Sequence, residues 1–321
     1  MTETKSTKPE TIATRDAYGK ILLEMGAKYP DLVVFDADLS GSTRTEWFGQ
    51  KYPERFFDIG IAEQDMVNEG AGFALCGHRV VCSSFAIFGS RAWEQIRNTA
   101  ARAKLGMLFA FTHAGLSVGE DGASAQANED VAIFRAIPEM RVIVPADATE
   151  TKKAVPWVLD HLDGPYYMRF SRAKVPVTFG DDYRFELGKG VVVRDGKDVA
   201  LIACGQMVAL SLAAAEALAK EGIKARVINM ASIKPVDEAM IVAAAKETGA
   251  IVTVEEASII GGLGSAVCEV LSEQFPTPVE RIGVRDVFGE SGTPDQLFDL
   301  YRLSPRHIAA AAKKAMKRAG A

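Results

Sequence analysis

The side chains best suited to chemistry gather in a few short stretches of the first half of the chain. Glu63 stands in FFDIGIAEQDMVNEGAGFALCG (56–77), between an extended apolar run and a segment built mostly of Gly, Ala, Val and Met. The structural reading is a helix that opens on an acid, because the first turn carries partial positive charge. The alternative is a reactive carboxylate, and this stretch alone leaves both open. THAGLSVGEDG (112–122) holds His113, Glu120 and Asp121 among three glycines in eleven residues. Functional loops are drawn from such segments. Asp38, Ser40 and Ser42 follow one apolar run, Ser84, Phe85 and Phe88 end another, and Ser171 and Arg172 follow a third. Each has a structural alternative. Phe85 and Phe88, three apart, suit a core as well as a ring-binding wall. His113 suits a satisfied strand end, and Arg15 and Arg172 suit surface ion pairs worth under about 1 kcal/mol.

What joins these residues is the set of elements that must carry them. DLVVFDAD (31–38), RVVCSSF (79–85), GMLFAFTH (106–113), RVIVPAD (141–147) and YYMRFS (166–171) read as strands buried on both faces, because they are continuous apolar runs rather than alternations. Helices fit between them at 11–28, 63–76, 90–103 and 149–161. Strands alternating with helices predict parallel sheets, and open parallel sheets bind ligands at the carboxyl ends of their strands. The candidate residues sit at those ends or open the following helix. Residues 174–190, KVPVTFGDDYRFELGKG, lack helical periodicity and predict an interdomain connection. The pattern restarts with DVALIACG (198–205), KARVINM (224–230), AIVTVEE (250–256) and ERIGVRD (280–286). The fold class is therefore α/β, with two domains of mostly parallel sheet, 1–180 and 190–321. EEASIIGGLGSAVCEVL (255–271) lacks the GxGxxG spacing of a dinucleotide fingerprint and reads as a packing or interface turn into a helix.

Bulk properties narrow the function. The chain has 321 residues, a net charge of −5 and 48% hydrophobic residues. That is ordinary for a soluble globular protein. The dense basic run is AAKKAMKR near the end, which suits a helix C-terminus better than nucleic acid. Cys76, Cys82, Cys204 and Cys268 form no CxxC pair and the four histidines do not cluster, so no zinc spacing is visible. The cysteines read as reduced core residues of a cytoplasmic protein. MTETKSTKPE lacks the apolar segment of a signal peptide, and no run approaches the roughly 20 apolar residues of a membrane helix.

In order, ATRDAYG (13–19), DADLSGST (36–43), DIGIAEQDM (58–66), SSFAIFGSRAWEQIRN (83–98), FTHAGLSVGEDG (111–122), MRFSRAKVP (168–176), INMASIKPVD (228–237) and VTVEEASIIGGLG (252–264) resemble the C-terminal half of transketolase. That half comprises a thiamin-diphosphate-binding fold of the pyrimidine type followed by a smaller C-terminal domain, and the resemblance covers nearly the whole chain. It implies that Glu63 hydrogen-bonds a ring nitrogen of the cofactor's aminopyrimidine, with Gly60, Ala62, Gly70, Ala71 and Gly72 allowing close approach. Phe85 and Phe88 match aromatics packed on that ring, Arg91 stands where a third aromatic often packs, and Asp38 matches a residue nearby. Arg15, Ser42, His113 and Arg172 match the residues that hold the sugar phosphate, for which guanidinium groups are suited. Asp121 matches the aspartate that contacts the substrate's hydroxyl beside the reacting carbon. Glu63, His113 and Asp121 form the implied catalytic set. The implied reaction transfers a two-carbon ketol unit from a ketose phosphate to an aldose.

The departures from the family are informative. Its diphosphate and magnesium motif, GDG with an Asn some 25 to 30 residues on, is absent. EDGAS (120–124) belongs to the catalytic loop, and RDGKD (194–198) reads as a hairpin turn. The chain is thus similar to the second subunit of a split transketolase. This implies that an N-terminal subunit supplies the diphosphate and magnesium site, and that the two assemble as a dimer of heterodimers. The chain reads GASAQ where the family usually has GPTHQ, so Ala125 replaces a histidine, and Gln64 replaces the histidine that often follows the glutamate. IAEQ also resembles 1-deoxyxylulose-5-phosphate synthase, which normally lacks a histidine at 113. The beta subunit of a 2-oxoacid dehydrogenase component is a third reading, but it has no need of Arg15, Ser42 and Arg172 as a phosphate set. A catalytically degenerate partner is a fourth, opposed by Glu63, Phe85, Phe88 and Asp121.

Overall fold

A strand with apolar side chains on both faces is stable only between covered neighbours, so the apolar runs should sit inside their sheets. In the computed structural model, which describes residues 10–320, they do, except that Val279–Val284 of the ERIGVRD run forms an edge. The larger sheet has seven strands in the order Ser232–Lys234, Arg141–Ile143, Pro165–Arg169, Met107–Thr112, Arg79–Phe85, Leu32–Asp36 and Phe56–Asp58. All pairings are parallel except that of Ser232–Lys234 with Arg141–Ile143. Leu32–Asp36 and Met107–Thr112 are buried at every residue. The smaller sheet runs Val279–Val284, Ile251–Ser258, Val199–Ala203, Ala225–Asn229 and Val191–Arg194, antiparallel only at the last pairing. The α/β class with two mostly parallel sheets is as the sequence predicts. The polar stretch at residues 1–9 lies outside the described residues.

Several boundaries differ from expectation. The helix expected from residue 11 begins at Thr14, because Thr11–Ala13 is a strand paired antiparallel with Lys174–Pro176. The first two of these residues are β-branched, which favours that pairing. The helix expected over 90–103 is broken into a 3-10 turn at Ser90–Ala92, one α-turn at Trp93–Gln95 and a π-turn at Ile96–Ala101. Ile96, Asn98 and Thr99 are weak helix formers. RDGKD is not a hairpin turn, because Val191–Arg194 pairs with Ala225–Asn229, which lies between it and Val199–Ala203. The cysteines also divide. Cys82 and Cys204 are buried, but Cys76 is exposed and Cys268 half-buried, so two of the four are not core residues. No helix among the described residues is long and apolar enough to cross a membrane.

The two sheets share contacts that the sequence pattern does not announce. Ser232–Lys234 leaves the smaller unit to extend the larger sheet, and Lys234 Nζ donates to the carbonyls of Arg135 and Ile137 at 2.9 and 2.6 Å. Buried Glu150 accepts from Ala146 N at 2.6 Å and Asn229 Nδ2 at 2.8 Å. The connection 174–190 is tied down where Asp147 Oδ2 accepts from Thr178 N and Phe179 N at 2.6 and 2.8 Å. One apolar cluster runs from Val33 and Phe109 to Ile202, Ile228 and Val267, so the two units are packed through a common core. Burying such surface stabilises by roughly 25 cal/mol per Å², which holds the loops of one unit against the other.

Candidate functional site

The expected residues cluster at the carboxyl edge of the seven-stranded sheet, and the backbone explains their placement. Ser171 N donates to Thr14 Oγ1 at 2.7 Å and the two hydroxyls lie 3.0 Å apart. With the adjoining antiparallel pair, these bonds set Arg15 and Arg172 side by side. Arg15 Nη1 donates to Ser42 O at 3.0 Å and to His113 Nε2 at 2.9 Å. Because Nε2 accepts from a guanidinium, the neutral ring carries its proton on Nδ1 and donates to Thr112 Oγ1 at 2.7 Å. Burial, followed by the charges of Arg15, Arg172 and Arg44, depresses the His113 pKa to about 3. The ring is therefore neutral at physiological pH and both nitrogens are engaged. His113 holds a left-handed backbone (φ 55), which is uncommon outside glycine.

Arg44 is a member of this cluster that the sequence reading missed. Its Nε pairs with Asp16 Oδ1 at 2.7 Å, and Asp16 lies 4.0 Å from Arg15 Nε. Arg15 thus has only a distant share in one carboxylate, and its buried Nε has no hydrogen-bond partner. Burial and the neighbouring Arg44 lower its pKa. Two guanidinium groups, Arg15 and Arg44, thus share the single carboxylate of Asp16, and such a local excess of positive charge suits an anion. Asp36 arranges the loop beneath it. Thr43 Oγ1 and Thr45 Oγ1 each donate to Asp36 Oδ2 at 2.7 Å, and Leu39 N to Oδ1 at 2.8 Å. Burial raises the Asp36 pKa to about 6. The signal for Asp36 was available in DADLSGSTRT (36–45), where a carboxylate precedes Thr43 and Thr45 by seven and nine positions.

Phe85 and His113 stack with ring centroids 3.6 Å apart, and Phe85 lies nearly parallel to Phe88 at 5.6 Å. With Phe85 only 9% exposed, the aromatic surface left for a ligand belongs mainly to the half-buried Phe88. The neighbouring Ser84 Oγ is buried without a partner. Asp38 is exposed, with φ 61, and its N–H donates to Asp58 Oδ1 at 2.9 Å.

Glu63 opens the helix Glu63–Leu75 and is 3% exposed. Its Oε2 lies 3.3 Å from Nη1 of Arg91, a side chain that is 61% exposed. Gln64 Nε2 donates to Arg91 O at 3.2 Å. These groups line an open depression of about 420 Å³ with Ile61, Asp65 and Asn68. A buried carboxylate whose counter-ion is a solvent-facing arginine can exchange that partner for another donor without leaving the fold. Arg91 sits three residues beyond Phe88, so one short segment borders both the carboxylate and the ring surface.

The third element is the turn Leu116–Asp121. Arg172 Nη1 donates to Val118 O and lies 3.6 Å from Glu120 Oε2 and 3.5 Å from Asp121 Oδ1. Two residues expected to touch different parts of a substrate thus meet each other. Ala125 is buried, and Gln126 Nε2 beside it donates to the carbonyls of Leu116, Gly119 and Glu290 at 3.3, 3.3 and 3.0 Å.

Comparison with known proteins identifies the same two domains. The model of the transketolase pyrimidine binding domain matches residues 10–178, and that of the transketolase C-terminal domain matches residues 188–308. The chain is 47% identical over 308 residues to a putative transketolase C-terminal section of Methanocaldococcus jannaschii, covering 95% of this chain and 96% of that one. It is 40% identical over 305 residues to the 6-deoxy-6-sulfo-D-fructose transketolase subunit SqwH of a Clostridium species, covering 95% and 94%. A solved structure described as a split gene transketolase, inactive beta4 tetramer, superposes with a TM-score of 0.89 at 50% identity, covering 95% of this chain and 99% of that one.

Proposed function

The chain belongs to the transketolase family, and on that premise we propose that it is the pyrimidine-side subunit of a cytoplasmic two-chain transketolase. In this reading the complex moves a two-carbon ketol unit from a ketose phosphate to an aldose, with thiamin diphosphate as cofactor. The observation that carries the proposal is Glu63, a buried carboxylate whose ionic partner is the exposed Arg91 at the rim of a depression.

The residues present fit the cofactor. Glu63 Oε2 is the atom we assign to share a proton with a ring nitrogen of the aminopyrimidine, in exchange for Arg91. The accessible face of Phe88, backed by Phe85, suits a flat ring, and Asp38 borders the same edge. Thiamin diphosphate, when bound, supplies the electron sink needed to cleave a bond beside a carbonyl. Arg15, Arg44 and Arg172 receive the substrate phosphate, with Ser42 beside them, as charge-assisted hydrogen bonds from forked donors favour. His113 acts by orienting Arg15, since its own nitrogens are occupied. Asp121, released from Arg172 when phosphate arrives, turns to a substrate hydroxyl. We assign residues 1–180 to the pyrimidine-binding unit and 190–321 to the C-terminal unit.

The diphosphate and magnesium fall to a partner subunit in this proposal, because no GDG sequence occurs in the chain. The family neighbour described as an inactive β4 tetramer supports inactivity of the subunit by itself. Mixed with a diphosphate-binding transketolase subunit, the protein should transfer ketol units from ketose phosphates, and alone it should not. Robust transfer by the lone chain would overturn the two-chain reading, and transfer from pyruvate but no ketose phosphate would overturn the donor.

A further inference from the structure

The turn that carries Glu120 and Asp121 is gripped from the other domain. Glu256, at the carboxyl end of Ile251–Ser258, is 4% exposed, and its Oε1 accepts from Ser117 N. Its Oε2 accepts from Gln206 Nε2, and the same Gln206 amide donates to Ser117 Oγ at 2.7 Å. One carboxylate and one amide of the second domain therefore hold both the backbone and the side chain of residue 117. Arg169 supplies the counter-charge. Its Nη2 donates to Glu256 O at 2.8 Å and its Nη1 lies 3.9 Å from Glu256 Oε2, but its closer ion pair, at 2.7 Å, is with Asp130. The carboxylate of Glu256 is thus committed to the turn more than to the arginine.

The backbone is shaped for this approach. Gly115 has φ +76, and a Cβ there would come within 2.7 Å of both Arg169 Nη2 and Glu256 Oε1. A side chain at 115 would push the turn off its anchor. Gln126 adds a second tie across the domains through Glu290 O. Desolvating a carboxylate is costly unless it is hydrogen-bonded, so the partners Glu256 keeps indicate what it holds in place.

We propose that Glu256, assisted by Gln206, is a positioning residue of the second domain that fixes the 115–122 turn and thereby sets where Asp121 meets Arg172. Its consequence for turnover rests on the transketolase reading above, whereas its effect on the turn does not. The smaller domain then has a part in the active site without reaching the substrate.

The test compares the wild-type protein with Glu256→Gln and with Gln206→Leu, each combined with a diphosphate-binding subunit. Amide hydrogen exchange at residues 116–122 should accelerate about tenfold or more in Glu256→Gln, and less in Gln206→Leu, while exchange in Met107–Thr112 stays unchanged. KM for a ketose phosphate should rise by a larger factor than kcat falls. Unchanged exchange at the turn in both variants would overturn the proposal, as would acceleration spread evenly over the protein. If Glu256→Gln does not fold, Gln206→Leu decides by the same criterion. A wild-type complex without ketol transfer would defeat the transketolase reading, and the exchange result would still decide the clamp.

Discussion

Glu63 and Glu255 are the same residue type and both are buried, one opening the helix Glu63–Leu75 and the other standing in the strand Ile251–Ser258 with its side chain against the start of the next helix, yet they are finished differently. Glu255 Oε2 accepts from Leu263 N and Oε1 from Gly264 N, each at 2.8 Å, so the carboxylate caps the helix Leu263–Gln274 with backbone alone. Gly262 closes over it, since a Cβ there would lie 2.0 Å from Oε2. Burial raises the Glu255 pKa to about 7. Glu63 instead sits within the first turn of its own helix and faces an exposed arginine. Burial is common to both acids, so under the proposed function the partner is what separates the structural acid from the reactive one. A carboxylate satisfied by fixed amides has no capacity left, and one held by a solvent-facing side chain can accept a ligand.

The contrast is broken most directly by removing each acid. In the reconstituted complex, Glu63→Ala should lower ketol transfer by about 10²- to 10⁴-fold, the range for a group that handles a proton, and leave thermal stability little changed. Glu255→Ala should do the reverse, costing about 1–3 kcal/mol of stability for the uncapped amides while activity per folded molecule persists. Equal stability losses with no difference in activity would erase the distinction. Arg172→Ala sharpens it on the phosphate side. It should weaken phosphorylated substrates about 10- to 100-fold, the worth of one hydrogen bond to a charged group, and barely affect unphosphorylated analogues. Equal losses for both would remove Arg172 from the proposed phosphate site.

The smallest expected effect is a pH dependence. His113 has a folded pKa of about 3 against an ordinary 6.5. Between those values the unfolded ring binds a proton that the folded one refuses, so this contribution to stability is complete above 6.5 and declines as pH falls toward 3. Denaturant midpoints for wild type should therefore drop more steeply from pH 7 to 4 than those of His113→Gln. Parallel curves would show that the ring is not held neutral by burial and its neighbouring arginines.

How far the sequence could be read depended on whether the signal was local. Continuous apolar runs gave away Leu32–Asp36, Arg79–Phe85 and Met107–Thr112, because a doubly covered strand must be apolar on both faces. Phe56–Asp58 and Ser232–Lys234 were not expected as strands, being three-residue edges with half-buried or interrupted patterns. At the candidate site, Glu63, Phe85, Phe88 and the loop holding His113 and Asp121 were singled out from residue type and motif. Arg44 was passed over because its role comes from standing next to Arg15 across 29 positions of chain. Glu256 was passed over because VTVEE reads as the end of an apolar strand, and its hydrogen-bond partner lies 139 residues away.

The sequence by itself determined the α/β alternation, the family motifs and the absence of a GDG sequence, since each is written in residue type and short spacing. Tertiary structure alone decided which groups remain unfinished. It left Arg15 short of a carboxylate, held His113 neutral between Arg15 and Thr112, and gave Glu63 an exposed counter-ion while sealing Glu255 under a glycine. The reason is physical. Propensity and pattern act between neighbours in the chain, whereas electrostatic balance and hydrogen-bond satisfaction act between neighbours in space.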